Sequence, residues 1–146
     1  MYADKTTVPS PKTRMQIEQL LGKHQAKQYG TFVDHELLRA RVQFRLQDRI
    51  VRFSVALPDP KTFRQSTNYE QAERQRWRAL LLVIKAKLEA VESKITTFEE
   101  EFLAHIVMPN DQTVGDLVRP QIAEVYKTGK LPASQPLLGP GGGMDK

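Results

Sequence analysis

Residues 74–95 read RQRWRALLLVIKAKLEAVESKI, and this stretch decides the fold. Trp77, Leu81, Ile84, Leu88, Val91 and Ile95 fall at spacings of 4, 3, 4, 3 and 4, which is one apolar stripe along a helix. Leu80, Leu82 and Val83 add apolar surface on other sides of the middle turns, as in a helix buried in a core. Charged residues gather at the ends: Arg74, Arg76 and Arg78 early, Lys85, Lys87, Glu89, Glu92 and Lys94 late. The apolar run Ala79 to Ile84 is far shorter than the roughly 20 residues a bilayer needs, so no membrane association is expected. The stripe suits an intramolecular core helix or a short seam between copies of the chain, that is, a homodimer.

A long helix of this kind needs a surface to cover, and the residues before it supply one. Leu38, Ala40, Val42, Phe44 and Leu46 alternate with Arg39, Arg41, Gln43 and Arg45; Val51, Phe53, Val55 and Leu57 alternate with Arg52, Ser54 and Ala56. A period of two is the pattern of strands with one dry face and one wet face. A two-residue loop at Gln47-Asp48, or a four-residue loop in the same register since Asn-Gly and Asp-Gly are lacking, pairs Phe44 with Val51, Val42 with Phe53 and Leu38 with Leu57. The other face then opposes Arg45 to Ile50, Gln43 to Arg52 and Arg41 to Ser54, so no arginine faces another. A slip by one residue would turn the apolar set to water. Residues 28–34 make a first strand interrupted by Gly30, and Pro58 and Pro60 stop the third. A helix over Lys12–Lys23 carries Met15, Ile17, Leu20 and Leu21, after a flexible arm over 1–11. Residues 58–69 read as a connector, with Thr67 or Asn68 placed to cap the central helix.

On the other side of the central helix, Thr96 and Thr97 each have a glutamate three residues on, a capping-box pattern. It opens a helix with Phe98, Phe102, Leu103 and Ile106 on its apolar side. Pro109-Asn110-Asp111 is a turn. Thr113 and Asp116 cap a fourth helix, Pro120 implies a kink or restart in it, and Gly129 is its stop. The sequence therefore predicts one α+β domain over 12–130: an N-terminal helix, a three-stranded antiparallel meander, a long helix covering the sheet, then two or three short C-terminal helices. Residues 131–146, ending GPGGGMDK, read as a disordered tail.

The composition narrows the chemistry. Without cysteine, disulfides and thiolate metal sites are excluded. No stretch has the order of a signal peptide, so a cytoplasmic protein is expected. Of the net charge of +5, residues 1–64 hold 12 Lys/Arg against 6 Asp/Glu, or +6, and residues 65–146 hold 10 against 11, or −1. A basic excess confined to one half raises nucleic acid as a partner.

The arginine face is the most specific feature. Arg39, Arg41, Arg45 and Arg52 are expected to project from the wet side of the sheet, with Arg49 at the hairpin tip. Same-face neighbours on a strand stand about 6.5–7 Å apart, close to the spacing of successive phosphates, and guanidinium groups hold phosphates in a bidentate manner. The plain alternative is a solvated face, or one paired with acids from the last helices. No aromatic residue alternates with these arginines; Tyr29 or Phe32 would have to provide stacking. Trp77 sits among Arg74, Arg76 and Arg78 and would serve as a platform there, but it also falls in the core stripe. Glu101 and His105 share a helix face at a spacing that suits a divalent metal, and need further ligands from Asp111, Asp116 or His35; acids favoured at a helix N-terminus explain the same cluster. No phosphate loop, HExxH or nucleophile elbow is present, so neither an enzyme nor a cofactor is expected, with a metal-dependent hydrolase using Glu101 and His105 as the alternative.

The segments RQRWRALLLVIKAKLEAVES, TFEEEFLAHIVMP and TVGDLV resemble a group of small phage and prophage proteins of unknown function. The resemblance spans roughly residues 12–131 and implies an accessory protein of a mobile element in a bacterial cytoplasm. It carries no functional residues over, because that group has no assigned activity. Two functions fit this setting: nucleic-acid binding through the arginine face, and binding or inhibition of a host or phage protein.

Overall fold

The computed structural model describes residues 7–131. Most of the expected N-terminal arm, and all of the expected tail but Leu131, fall outside the described residues. The order of elements is the expected one. Helix α1 (Ser10–Lys23) leads to strands β1 (Gln28–Asp34), β2 (Arg39–Leu46) and β3 (Arg49–Ala56), then the long helix α2 (Ser66–Glu92). A single-turn helix α3 (Phe98–Glu101), a 3-10 turn (Leu103–His105) and helix α4 (Val114–Thr128) follow among the described residues.

The sheet is an antiparallel meander in the order β1-β2-β3. Phe44 pairs with Val51, Val42 with Phe53, Arg45 with Ile50, Gln43 with Arg52 and Arg41 with Ser54, the register that the alternation demanded. The turn is the two-residue one: Gln47 (φ 49°) and Asp48 (φ 59°) both take the left-handed conformation. That geometry favours Asn-Gly, and here the buried register imposes it on two ordinary side chains. Despite Gly30, β1 is a full strand, with Tyr29 opposite Phe44 and Phe32 opposite Arg41.

One face of the sheet is dry. Ala40, Val42, Phe44, Val51 and Phe53 are buried against Ile17 and Leu21 of α1 and Trp77, Leu80, Leu81, Ile84 and Leu88 of α2. Phe102 closes this layer, with its ring edge-on to Phe44 at 5.8 Å and to Phe53 at 6.1 Å. Trp77 is 1% exposed, with the Arg14 guanidinium 5.2 Å from its ring, so it is a core residue and not an open platform.

Helix limits differ from expectation in instructive ways. α1 begins at Ser10, because Pro11 is accommodated in a first turn, where its missing amide would have had no acceptor within the helix. It buries Thr13, Ile17 and Leu21, a strict four-residue repeat, and leaves Met15 exposed. α2 begins at Ser66, eight residues before the apolar stretch, so neither Thr67 nor Asn68 caps it; Gln65 is the N-cap, and Phe63 packs edge-on against Tyr69 in its first turns. Ile95 lies beyond the helix and is exposed. Lys94 takes φ 65°, its amide donates to the Val91 carbonyl and the Ile95 amide to that of Ala90, a Schellman stop with lysine where glycine is usual. The capping signals are realised: Thr97 accepts from the Glu100 amide, and Thr113 and Asp116 form a reciprocal box. α4 runs on through Pro120 and stops at Gly129, φ 72°. No described helix is long and apolar enough to cross a membrane.

Candidate nucleic-acid interface

Strand alternation gives the sheet a second, open face. From β1 it receives Gln28, Gly30, Phe32 and Asp34; from β2, Arg39, Arg41, Gln43 and Arg45; from β3, Ile50, Arg52, Ser54 and Ala56. The dry face is packed by α1, α2 and Phe102, so the open face is the one these elements leave uncovered.

The five arginines expected together are divided by the structure. Arg39, Arg41 and Arg45 are exposed on the open face. Among the described residues, the guanidinium groups of Arg39 and Arg41 make neither a hydrogen bond nor an ion pair, the Arg41 charge acting on Asp111 only at longer range, and that of Arg45 reaches only Asp48, at 3.8 Å in a solvent-exposed contact. Asp34 stands opposite Arg39, but its Oδ1 accepts from the Glu36 and Leu37 amides. Three guanidinium groups thus stand on one strand without a strong partner.

Arg52 lies on the same face but is committed. Its Nε donates to Gln43 Oε1 at 3.0 Å, Nη1 to the Asp111 carbonyl at 2.9 Å and Nη2 to Asp111 Oδ1 at 2.6 Å. Its side chain is only 11% exposed. Arg52 is a strut that ties the 109–112 turn to the sheet. The Arg52 hydrogen bond, then its charge, hold the Asp111 carboxyl below the usual carboxylate range. Arg49 has the parity of Val51 and Phe53, not that of the open face, and its Nε and Nη2 hold Glu99 Oε1 at 3.0 and 2.9 Å. The acids of the C-terminal segment have therefore claimed two of the five arginines. Sequence pattern gave the position of those acids in the chain but not in space.

The face also holds an aromatic ring that the alternation of β2 and β3 could not disclose. Phe32 is 55% exposed and directly opposite Arg41. A Cβ at Gly30 would lie 3.0 Å from the Phe32 ring, so the ring leans back over the Gly30 backbone. Glycine in mid-strand is what lets an aromatic side chain lie low on the sheet. Two hollows share Phe32 and Gln43: one runs to Arg45 and Ile50, the other to Leu37, Arg39 and Arg41. The strand carrying Phe32 is held from the dry side, where Arg14 Nε donates to Thr31 Oγ1 and Thr31 Oγ1 donates to Glu18 Oε2. Tyr29, the other aromatic candidate, has dry-face parity, opposite Phe44.

Beyond Arg41 the face ends in a cleft against the first turn of α4, lined by Arg39, Arg41, Arg52 and Arg119. Arg119 binds Asp116 at 2.6 Å. The Thr113 hydroxyl, then the Thr113 amide and Arg119, hold the Asp116 carboxyl low.

The Glu101–His105 pair is built differently from a metal site. Glu101 Oε2 accepts from Lys87 Nζ at 3.1 Å, and the His105 ring stacks on Phe53 at 4.1 Å. Burial, then the Lys87 charge, lower the His105 pKa, against a hydrogen bond to the Arg52 backbone. Among the described residues no group of three or more His, Asp or Glu side chains is placed to hold a metal. No protein-family model, curated protein or solved structure matches the chain, so function is read from the site's own chemistry.

Proposed function

We propose that the open face of the sheet binds single-stranded nucleic acid. The observation that carries this reading is the pairing of Phe32 with Arg41, flanked along β2 by Arg39 and Arg45, on the sheet face that none of the described helices packs across. Arg39 and Arg41 stand about 6.5–7 Å apart and Arg45 about twice that distance beyond Arg41, spacings that suit phosphates along one strand. An exposed ring between them accepts a base, and a base in a duplex is not free to stack on it. Sequence preference is weak, because phosphate contacts position a strand without reading it. The setting implied by the resemblance, an accessory protein of a mobile element, accords with such a role.

The test is a titration of short single-stranded and duplex oligonucleotides at two salt concentrations. Three phosphate contacts at roughly −0.7 each give a log–log salt slope of about −2 for the single strand. Single strands bind more tightly than duplex. Alanine at Arg39, Arg41 and Arg45 together abolishes the slope, and Phe32→Ala weakens single-strand binding by roughly 5- to 100-fold, the worth of one stacked base. Unchanged affinity in the triple variant, or no binding at low salt, overturns the reading.

A further inference from the structure

The cleft on the β3 side of the open face is more enclosed than the two hollows beside Phe32 and has a volume of about 300 Å³. Its floor is Arg39, Arg41, Arg52 and Ser54, and its wall is the 3-10 turn and the start of α4, which carries Arg119. Four guanidinium groups therefore line one small volume. Those of Arg39 and Arg41 make no hydrogen bond or ion pair among the described residues. Arg119 is 70% exposed and commits only Nη2, to Asp116 Oδ1, so its Nε and Nη1 remain to donate. Arg52 is held by Gln43 and Asp111 and adds a fixed charge.

The opposing charges are fewer. Asp116 lies in the cleft on Arg119, and Asp111 is bound to Arg52. Asp34 stands on the β1 side of Arg39, away from the cleft. Burial lowers the pKa of His105, so its ring adds little charge at neutral pH. Four positive groups against two carboxylates leave a balance of +2. A phosphodiester within a strand brings one negative charge and two free oxygens. A phosphate monoester brings about −1.5 to −2 and three strong acceptor oxygens, which is the better match.

We infer that this cleft receives the terminal phosphate of the bound single strand, with Arg39, Arg41 and Arg119 donating to its oxygens. The inference rests on the open-face reading of strand binding. Phe32 lies opposite Arg41 and Arg41 opposite Ser54, so ring and cleft are two inter-strand steps apart, about 9–10 Å. One or two nucleotides cover that span, with a base on Phe32 and the phosphate in the cleft. The start of α4 walls the far side, so a strand that enters the cleft ends there.

The test compares oligonucleotides of one sequence on the full chain: hydroxyl-ended, 5′-phosphorylated and 3′-phosphorylated. A hydroxyl-ended strand one nucleotide longer controls for the added charge. Phosphate at one of the two ends should tighten binding by roughly 10-fold or more, the worth of one charge-assisted hydrogen bond, and the longer strand should gain far less. Arg119→Ala, at an exposed position, should remove that preference and leave the affinity of the hydroxyl-ended strand as it was. Equal tightening by phosphate at both ends, or a preference that survives Arg119→Ala, overturns the inference. Hydroxyl-ended strands that bind with the expected salt slope while phosphate adds nothing overturn it alone. Failure of every oligonucleotide to bind overturns the open-face reading with it.

Discussion

The two faces of the sheet are made by alternate residues of the same strands, yet they hold their places for different reasons. On the dry face, Val42, Phe44, Val51 and Phe53 are fixed by packing against Trp77, Ile84 and Phe102. On the open face, Arg39, Arg41 and Arg45 are placed by the strand and left without strong partners, while Arg52 is buried by the turn that grips it. Parity therefore decides which side a residue occupies. It does not decide whether that residue is free to meet a ligand. That depends on what the distant 97–119 segment brings to the sheet edge, where the Val107 amide donates to the Ile50 carbonyl at 2.7 Å.

The contrast can be broken most forcefully from the dry side. Phe102→Ala removes the ring that closes the layer and is expected to destabilise the fold by about 3–5 kcal/mol, a large part of the whole stability of a domain. Chemical denaturation measures it; a loss under 1 kcal/mol would mean the aromatic cluster is not the keystone of the dry face. Alanine at Arg39, Arg41 and Arg45 should instead shift the midpoint little, since exposed substitutions usually stay within about 0.5 kcal/mol each. Arg52→Ala is the intermediate case. It strips a mostly buried side chain of its hydrogen bonds to Gln43 and Asp111, and a loss of about 1–2 kcal/mol is expected by denaturation.

The pH dependence sharpens the same contrast. The folded chain holds His105 below its ordinary value of 6.5, chiefly by burial. Below that pH the unfolded chain takes up a proton at this position before the folded one does. Stability should therefore fall as pH drops through 6.5, and His105→Phe should flatten that part of the profile. The smallest effect lies at the end of α2: Lys94→Gly places glycine at a left-handed position and should raise stability by about 0.5–1 kcal/mol.

Much of the fold was legible because its signals are local and periodic. The β2–β3 register followed from two alternating runs and a short turn, and the threonine caps at Thr97 and Thr113 followed from carboxylates three residues on. The start of α2 was legible only to within two to three residues, since Thr67 or Asn68 is the expected cap, whereas the helix begins at Ser66 with Gln65 at the N-cap and no side-chain cap bond to mark it. The site was legible in part. Arg39, Arg41 and Arg45 came from alternation alone. The commitment of Arg49 to Glu99 spans 50 residues and that of Arg52 to Asp111 spans 59, distances over which a sequence pattern carries no pairing information. Phe32 was legible only as one of two stacking candidates with Tyr29; pairing 28–34 with β2 across a four-residue loop separates them, since it puts Phe32 opposite Arg41 and Tyr29 opposite Phe44.

The most direct test of the open-face account is a map of where a single strand touches. Backbone amide resonances of the isotope-labelled full chain, followed during titration with a short single-stranded oligonucleotide, should move at Gly30, Phe32, Arg39, Arg41, Gln43 and Arg45 and stay still along α2. Shifts confined to other elements, such as α4 or the outer side of α2, or none at a large excess of oligonucleotide, would contradict the assignment of this face.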